Sequence, residues 1–310
     1  MINWTEIVVI PPKDKWDCLA ESVIEGFYKN NIKIYSSDKG NGIKPEDVYT
    51  DKEIIAFSKL CDFIFVIWGK ENLPQHPGPK YYLLDEINNR DKIIYIDGSE
   101  YNWTAHRDKT DIKINPNMID KCKWYFKREC LLDHKVQGII PLPFAVNELG
   151  IFNYKEEKTI DVLCSFGQTF TGKRNVAIQA CEELKSEGYN IITRLPNTTS
   201  IEEYFKIVNQ SWITIDAHGG GEVNARTFQI SANSSALFCE KYSIIIPNLK
   251  HKHNCVQWNS KEDLKYSIRY YLDNKNELQK IIDNGYSDTM KYHTSDRRVK
   301  YIFKKIGEIG

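Results

Sequence analysis

A glycine-rich turn leads into a polar segment whose side chains can bind a ligand. Residues 219–221 are three consecutive glycines, and Asn224, Arg226 and Gln229 follow within about two helical turns. Glycines let the backbone approach a ligand closely, and the N-terminus of a helix offers N–H groups to phosphate or ribose oxygens. The apolar run 212–216 precedes the turn, which places it at the carboxyl end of a predicted strand, where α/β sheets bind ligands. The alternative interpretation is a capped helix with a flexible lead-in.

A second turn, residues 167–174, is similar to a phosphate-binding loop. It follows a predicted strand, opens a predicted helix, and nearly fits the pattern G-x-x-x-x-G-K-[ST]. Arg174 stands where that pattern needs a hydroxyl for Mg²⁺, and arginine is only a donor. Lys173 and Arg174 can instead hold a diphosphate by charge-assisted hydrogen bonds. One alternative is an ATPase or a kinase. The other is that Lys173 and Arg174 are merely solvated side chains, but a cationic pair at a helix N-terminus opposes the helix dipole, which disfavours this explanation.

The sequence contains no convincing metal site. His251, His253 and Cys255 are three possible zinc ligands, but their spacing suits a closed tetrahedral site poorly and no fourth ligand is evident nearby. The chain also has no Asp-x-Asp pair, although sites that hold a diphosphate through Mg²⁺ or Mn²⁺ usually need clustered carboxylates. We therefore expect cationic side chains and helix ends to neutralise any bound diphosphate.

Composition indicates a globular protein of two domains. The 310 residues are 41% apolar and 27% charged, and 42 basic side chains balance 42 acidic ones. Because no basic stripe occurs, neither a nucleic-acid polymer nor an anionic membrane is expected as an obligate partner. No long apolar run or signal-peptide pattern is present, and the eight cysteines form no C-x-x-C pair. We expect a cytoplasmic protein without stable membrane insertion, whose cysteines are buried free thiols.

The elements that must position these residues alternate between strand and helix. The apolar run 63–68 is typical of a strand buried on both faces, and residues 16–27 have helical spacing. After a boundary near the charged segment 155–158, a second cycle begins. Its predicted elements are strand 160–166, helix 173–187, strand 190–193, helix 201–209, strand 212–216, helix 224–233, strand 236–239 and helices to the end. This alternation predicts an α/β fold with parallel sheets.

From about residue 141 to 305 the chain resembles the GT-B glycosyltransferases, especially the bacterial group related to spore-maturation glycosyltransferases. In that group a strand and glycine turn precede an arginine, as at 166–174, and an N-x-R-x-F-E motif precedes a short strand, as at 224–240. Further matching pieces are found at residues 259–264, 270–272, 284–286, 293–294 and 297.

The resemblance implies two Rossmann-like α/β domains that face a cleft, with a C-terminal helical tail. Residues 1–150 would bind the acceptor, residues 151–292 would bind the donor, and residues 293–310 would cross back to the first domain. The implied reaction transfers a sugar from a nucleotide-diphosphate sugar to a glycan, a surface polysaccharide or a small molecule. It would be metal-independent, mostly retaining in related families, and without a further cofactor.

The predicted site combines both turns. The donor-binding residues are Gly167, Gln168, Lys173, Arg174, Gly220, Gly221, Asn224, Arg226 and Gln229. Lys173 and Arg174 are also predicted to be catalytic, because they would stabilise charge on the leaving diphosphate. Glu222 is predicted as a third catalytic residue.

Gln229 departs from the family pattern. It stands where the family has a glutamate that accepts hydrogen bonds from the ribose, and Glu222 could partly replace that carboxylate. The change leaves open a degenerate, non-catalytic nucleotide-sugar-binding protein. No general base can be named, since His106, His134 and His218 are candidates only by residue type.

Overall fold

The computed structural model describes residues 6–13, 17–68, 78–99, 114–132, 137–152, 155–166, 172–219 and 221–309. The chain divides into two compact units. The first consists of Met1–Asn147, Ile244–Ile246 and Thr294–Gly310, and the second of Glu148–Ser243 and Pro247–His293. Each contains a parallel sheet with helices, so the predicted α/β class with a helical C-terminal tail is confirmed.

The first unit contains a six-stranded sheet with the order β2-β1-β3-β4-β5-β6. Its strands are β1 (Glu6–Ile10), β2 (Lys33–Ser36), β3 (Phe63–Trp68), β4 (Ile93–Asp97), β5 (Trp124–Lys127) and β6 (Ile139–Pro141). Every neighbouring pair is parallel. All six residues of β3 are buried, as its continuous apolar sequence predicts for a central strand.

The described part of the first unit contains α-helices, several of which begin at side-chain caps that the sequence supplies. They are α1 (Cys18–Lys29), α2 (Asp51–Leu60), α3 (Leu83–Ile87), α4 (Pro116–Ile119) and α10 (Ser295–Ile309). The Asp17 carboxylate accepts the first N–H groups of α1, and Thr50 and Glu53 form a capping box for α2. Helix α10 packs closely on α1, where a Cβ added to Gly26 would lie 2.6 Å from Val299 Cγ2.

The second unit contains a five-stranded sheet with the order β11-β10-β9-β7-β8, again with parallel pairs. Its strands are β7 (Ile160–Leu163), β8 (Ile191–Ile192), β9 (Ser211–Asp216), β10 (Ala236–Glu240) and β11 (Val256–Trp258). Its helices are α5 (Gly172–Ser186), α6 (Ile201–Gln210), α7 (Ala225–Ala232), α8 (Lys261–Asp273) and α9 (Lys275–Tyr292). Strand β7 is shorter than predicted, because the chain leaves the sheet after Leu163.

The strand order of the second unit creates a switch point between β7 and β9. From β7 the chain continues to β8 on one side, and the later strands β9, β10 and β11 lie on the other. In such sheets the carboxyl ends of the two strands at the switch point form a crevice where ligands bind. The residues that follow β7 and β9 are therefore the place to look for a site.

Buried apolar side chains form a separate core in each unit. Trp258 and Phe238 belong to the core of the second unit, while Phe126 is fully buried in the first. All eight cysteines are free thiols and seven are buried, which confirms that prediction. Within the described ranges, no helix combines the length and apolar character needed to cross a bilayer.

Candidate functional site

The centre of the candidate site lies at the carboxyl ends of β7 and β9. Asp216 is the last residue of β9, and its side chain is 2% exposed. Ser165 and Phe166 follow β7, and His218 and Gly219 follow β9. These positions lie at the switch point of the second sheet, where the strand order predicts a ligand.

Hydrogen bonds connect the start of α7 to the Asp216 carboxylate. Asn224 caps the helix, because its Oδ1 accepts the Arg226 N–H at 2.9 Å. Asn224 Nδ2 donates to Asp216 Oδ1 at 3.3 Å, and Thr227 Oγ1 donates to Asp216 Oδ2 at 2.6 Å. The prediction of open N–H groups at this helix start therefore needs correction, since the Asn224 side chain occupies one of them.

Arg226 connects the ends of the two strands. Its Nη2 lies 2.8 Å from Asp216 Oδ1, and its Nη1 donates to the Ser165 carbonyl at 3.0 Å. The guanidinium also lies over the Phe166 ring, 4.7 Å from its centroid. Burial acts to lower the pKa of Arg226, but Asp216 and Tyr204 outweigh it and raise that pKa above its ordinary value. Arg226 is thus a permanently charged side chain held in one orientation.

Arg174 brings a second guanidinium to the same ring. Its Cζ lies 5.4 Å from the Phe166 centroid, and a Cβ added to Gly219 would come within 2.7 Å of its Nη2. Burial and the nearby charge of Arg226 lower the pKa of Arg174. The described parts of the two predicted turns therefore lie side by side, and they concentrate positive charge at the switch point.

Lys173 belongs to a neighbouring group of polar side chains at the end of β10. Its Nζ lies 3.0 Å from Glu240 Oε1, and His218 Nδ1 lies 3.2 Å from Glu240 Oε2. The His218 ring stacks on Tyr242 at 5.5 Å, and the Lys173 side chain remains 42% exposed. Sequence reasoning missed Glu240, although it shares with Asp216 a signal that was available: an acidic residue that ends an apolar strand.

The other predicted residues have different positions. Both carboxylate oxygens of Glu222 accept hydrogen bonds from Ser243, one from its N–H at 2.6 Å and one from its hydroxyl. Gln229 is half-buried on α7, and its side-chain amide makes no hydrogen bond with another described residue. Gly221 is buried, and its carbonyl accepts the Gly219 N–H at 3.0 Å. Gly167, Gln168, Gly220, His106 and His134 lie outside the described residues.

The structure gives no support to the two alternative site chemistries. In a phosphate-binding-loop enzyme Asp216 would be available to a metal ion, but its carboxylate accepts from Asn224, Arg226 and Thr227. In the candidate zinc segment, His251 Nδ1 accepts the Gln257 N–H and His253 lies 3.4 Å from Asp288. Within the described ranges, no group of three or more histidine, cysteine or acidic residues could hold a metal ion.

Comparisons with known proteins give a family match over part of the chain and a fold over nearly all of it. Residues 181–304 match the family described as glycosyl transferase-like. A glycosyltransferase from Rickettsia africae has a TM-score of 0.63 at 12% identity, over 99% of each chain. HepE from Anabaena in complex with UDP-glucose has a TM-score of 0.61 at 8% identity, over 98% of this chain and 99% of that chain. No curated protein matches in sequence.

A third structure is an alpha-glucosyltransferase bound to UDP-glucose and to DNA with an abasic site. Its TM-score is 0.60 at 9% identity, over 98% of each chain. Together with the family match, these structures confirm the GT-B fold and the resemblance to glycosyltransferases that the sequence predicted.

Proposed function

Because the chain has the GT-B fold and its residues 181–304 fall in a glycosyltransferase family, we propose that it transfers a sugar from a nucleotide-diphosphate sugar. The acceptor is a glycan, a surface polysaccharide or a small molecule, bound by the first unit. One observation carries the proposal: Arg174 and Arg226 share the Phe166 ring at the switch point of the second sheet. The Arg174 guanidinium, placed at this position beside that of Arg226, fits the negative charge of a nucleoside diphosphate.

Within this proposal the two arginines have different tasks. Arg226 is a positioning residue, because Asp216 and the Ser165 carbonyl already fix its guanidinium. Arg174 contacts the diphosphate, since its guanidinium reaches the Gly219 backbone and a bound anion would relieve its repulsion by Arg226. Lys173, whose side chain is partly exposed beside Glu240, contacts the same group.

The proposed chemistry is electrostatic. When the bond between the anomeric carbon and the phosphate oxygen breaks, its electron pair stays on the leaving diphosphate. Each well-placed donor such as Arg174 or Lys173 stabilises that charge by about 3 kcal/mol in the transition state. The reaction then needs no divalent ion, and we propose that it retains the anomeric configuration. Buried free thiols fit a reducing compartment such as the cytoplasm.

Calorimetry tests the donor site directly. The protein is titrated with UDP, GDP, CDP and ADP, and then with UDP-glucose and GDP-mannose. Arg174→Ala should weaken the binding of the preferred diphosphate about tenfold or more, because one charge-assisted contact is lost. Arg269→Ala is the matched control, since Arg269 lies on α8 and pairs with Glu187. If none of these compounds binds, or if both variants bind equally well, the proposal is wrong.

Metal dependence and stereochemistry need a transfer assay. Treatment with EDTA should leave donor binding and sugar transfer intact. NMR of the product should show the anomeric configuration of the donor sugar. A strict requirement for Mg²⁺ or Mn²⁺ would contradict the electrostatic role assigned to Arg174 and Lys173.

Gln229 supports a second candidate function, a nucleotide-sugar-binding protein that no longer transfers sugar. Its amide retains a carbonyl acceptor but lacks the charge of the family's glutamate. A large rise in transfer by Gln229→Glu would indicate natural degeneracy. A fall would show that glutamine is the functional residue here.

A further inference from the structure

A separate groove lies beside the edge strand β11 of the second unit. Its volume is about 540 Å³, and its walls come from β11, α8, the start of α9 and the segment before β11. None of the residues at the ends of β7 and β9 lines it. The groove therefore requires its own explanation.

Two parallel tyrosine rings form one wall of the groove. Tyr266 and Tyr270 lie one turn apart on α8, with ring centroids 6.2 Å apart and planes inclined by 19°. Tyr266 is 67% exposed and Tyr270 is 37% exposed. Tyr271 packs edge-on against Tyr270 at 5.1 Å, and the Tyr270 hydroxyl donates to Glu277 at 3.0 Å. The core does not need these exposed faces, and the contacts of Tyr270 with Tyr271 and Glu277 hold its ring in place beside that of Tyr266.

Polar groups of both hydrogen-bonding types surround the rings. The Gln257 N–H donates to His251 Nδ1 at 2.9 Å, which leaves the proton of the neutral imidazole on Nε2 as a donor. Burial and then the charge of Lys252 lower the pKa of His251, which keeps the ring neutral at physiological pH. The Asp263 carboxylate accepts from the Asn259 N–H at 3.0 Å and adds an acceptor. The Gln257 side chain lines the same groove.

We propose that this groove is a saccharide-binding site distinct from the nucleotide site. The apolar C–H face of a sugar ring would stack on Tyr266 and Tyr270, and its hydroxyls would meet the donors and acceptors of His251, Asp263 and Gln257. An organic cation fits less well, because the amine-bearing residue Lys252 also lines the groove. The proposal does not depend on the transfer reaction.

The test measures oligosaccharide binding by the full chain in excess UDP, which occupies the nucleotide site. The probes are maltoheptaose and chitotetraose. Saturation-transfer NMR and titration measure the binding of each. At least one probe should bind, and Tyr266→Ala should weaken it about fivefold or more because the stacking face is lost. Tyr266→Phe should change the affinity less than twofold. Tyr286→Ala is the control, since Tyr286 is a 39% exposed tyrosine on α9.

Several results would overturn the proposal. They are the absence of binding by both probes, equal binding by Tyr266→Ala and the wild type, and weaker binding of the probe with excess UDP than in a parallel titration without UDP. Stronger binding of tetramethylammonium than of either sugar would show that the groove recognises cations. Tyr266 is mostly exposed, so its variants should fold, and circular dichroism checks that they do.

Discussion

At the scale of single residues, Asp216 is the residue that fixes the start of α7. Arg226, Asn224 and Thr227 all donate to its carboxylate, and these contacts set the direction in which α7 leaves β9. Asp216→Ala would leave the Arg226 guanidinium buried without its anion. We expect a loss of about 3–5 kcal/mol in the free energy of unfolding, measured by urea denaturation.

An exposed carboxylate provides the control for this prediction. Asp273 is exposed at the end of α8, so Asp273→Ala should change the free energy of unfolding by about 0.5 kcal/mol or less. In a double-variant cycle, the loss of stability caused by substituting Arg226 should be different when Asp216 has also been substituted. Equal stability of Asp216→Ala and the wild type would contradict the network described here.

The sequence alone identified one side of this network but not the other. Asn224 and Arg226 stood out because they follow a glycine turn and open a helix, and these are local features. The partnership with Ser165 depends on β7 and β9 being neighbours, which connects positions 61 residues apart. Glu240 was missed for the same reason, since Lys173 and His218 reach it from separate segments.

Lys158 shows how a single amine can hold several backbone segments. Its Nζ donates to the carbonyls of Asn209 and Ser234 at 2.5 Å and to that of Ser211 at 2.8 Å. Burial lowers the pKa of Lys158 to about 7, below the ordinary value of 10.5. Between these two values the unfolded chain binds more protons than the folded one, so stability rises with pH in that interval.

Comparison of the wild type with Lys158→Met isolates this contribution. From pH 7 to pH 9 the unfolding free energy of the wild type should rise relative to that of the variant, by about 2 kcal/mol. Chemical denaturation at several pH values measures both. A constant difference across this range would show that the three carbonyls hold the pKa of the amine at its ordinary value.

At the scale of elements, the contact of α1 with α10 depends on one glycine. A Cβ on Gly26 would meet the Ser295 carbonyl and would lie 2.6 Å from Val299 Cγ2. Gly26→Ala should force the two helices apart and lower the free energy of unfolding by about 1–3 kcal/mol. Thermal or urea unfolding measures the loss.

Gly307 is a matched control on the same helix pair. It lies in α10, and a Cβ there would meet nothing within 4 Å. Gly307→Ala should be neutral or should stabilise by up to about 1 kcal/mol, because alanine favours helix. Similar losses for both variants would mean that close packing at Gly26 is not the cause.

Element type was easier to predict than element length. The apolar run of β3 matched its strand residue for residue, because a buried central strand needs a continuous apolar sequence. The strand predicted at 160–166 ends at Leu163, which is the last residue of β7 paired with β9. Pairing between strands decides this end, and Ser165 leaves the ladder to accept from Arg226.

At the scale of the whole molecule, the units are assembled from chain segments that are not continuous in sequence. Ile244–Ile246 belongs to the first unit, where the Ile245 N–H donates to the Cys130 carbonyl at 2.7 Å. The sequence predicts one uninterrupted domain over residues 151–292. The place of residues 244–246 in the first unit could not be predicted from the sequence. A three-residue segment has no periodicity, and its partner Cys130 is more than a hundred residues away along the chain.

Because each unit has its own core, a ligand bound at the switch point of the second unit should stabilise that unit first. At a UDP concentration of about 100 times its dissociation constant, the expected gain is about 2.7 kcal/mol. Hydrogen exchange followed by mass spectrometry should therefore slow in α5, β9 and α7. Exchange in β1 and β3 should stay unchanged, and Arg174→Ala should abolish the protection. If UDP protected the first unit instead, the donor would bind there, and the roles assigned to the two units would have to be exchanged.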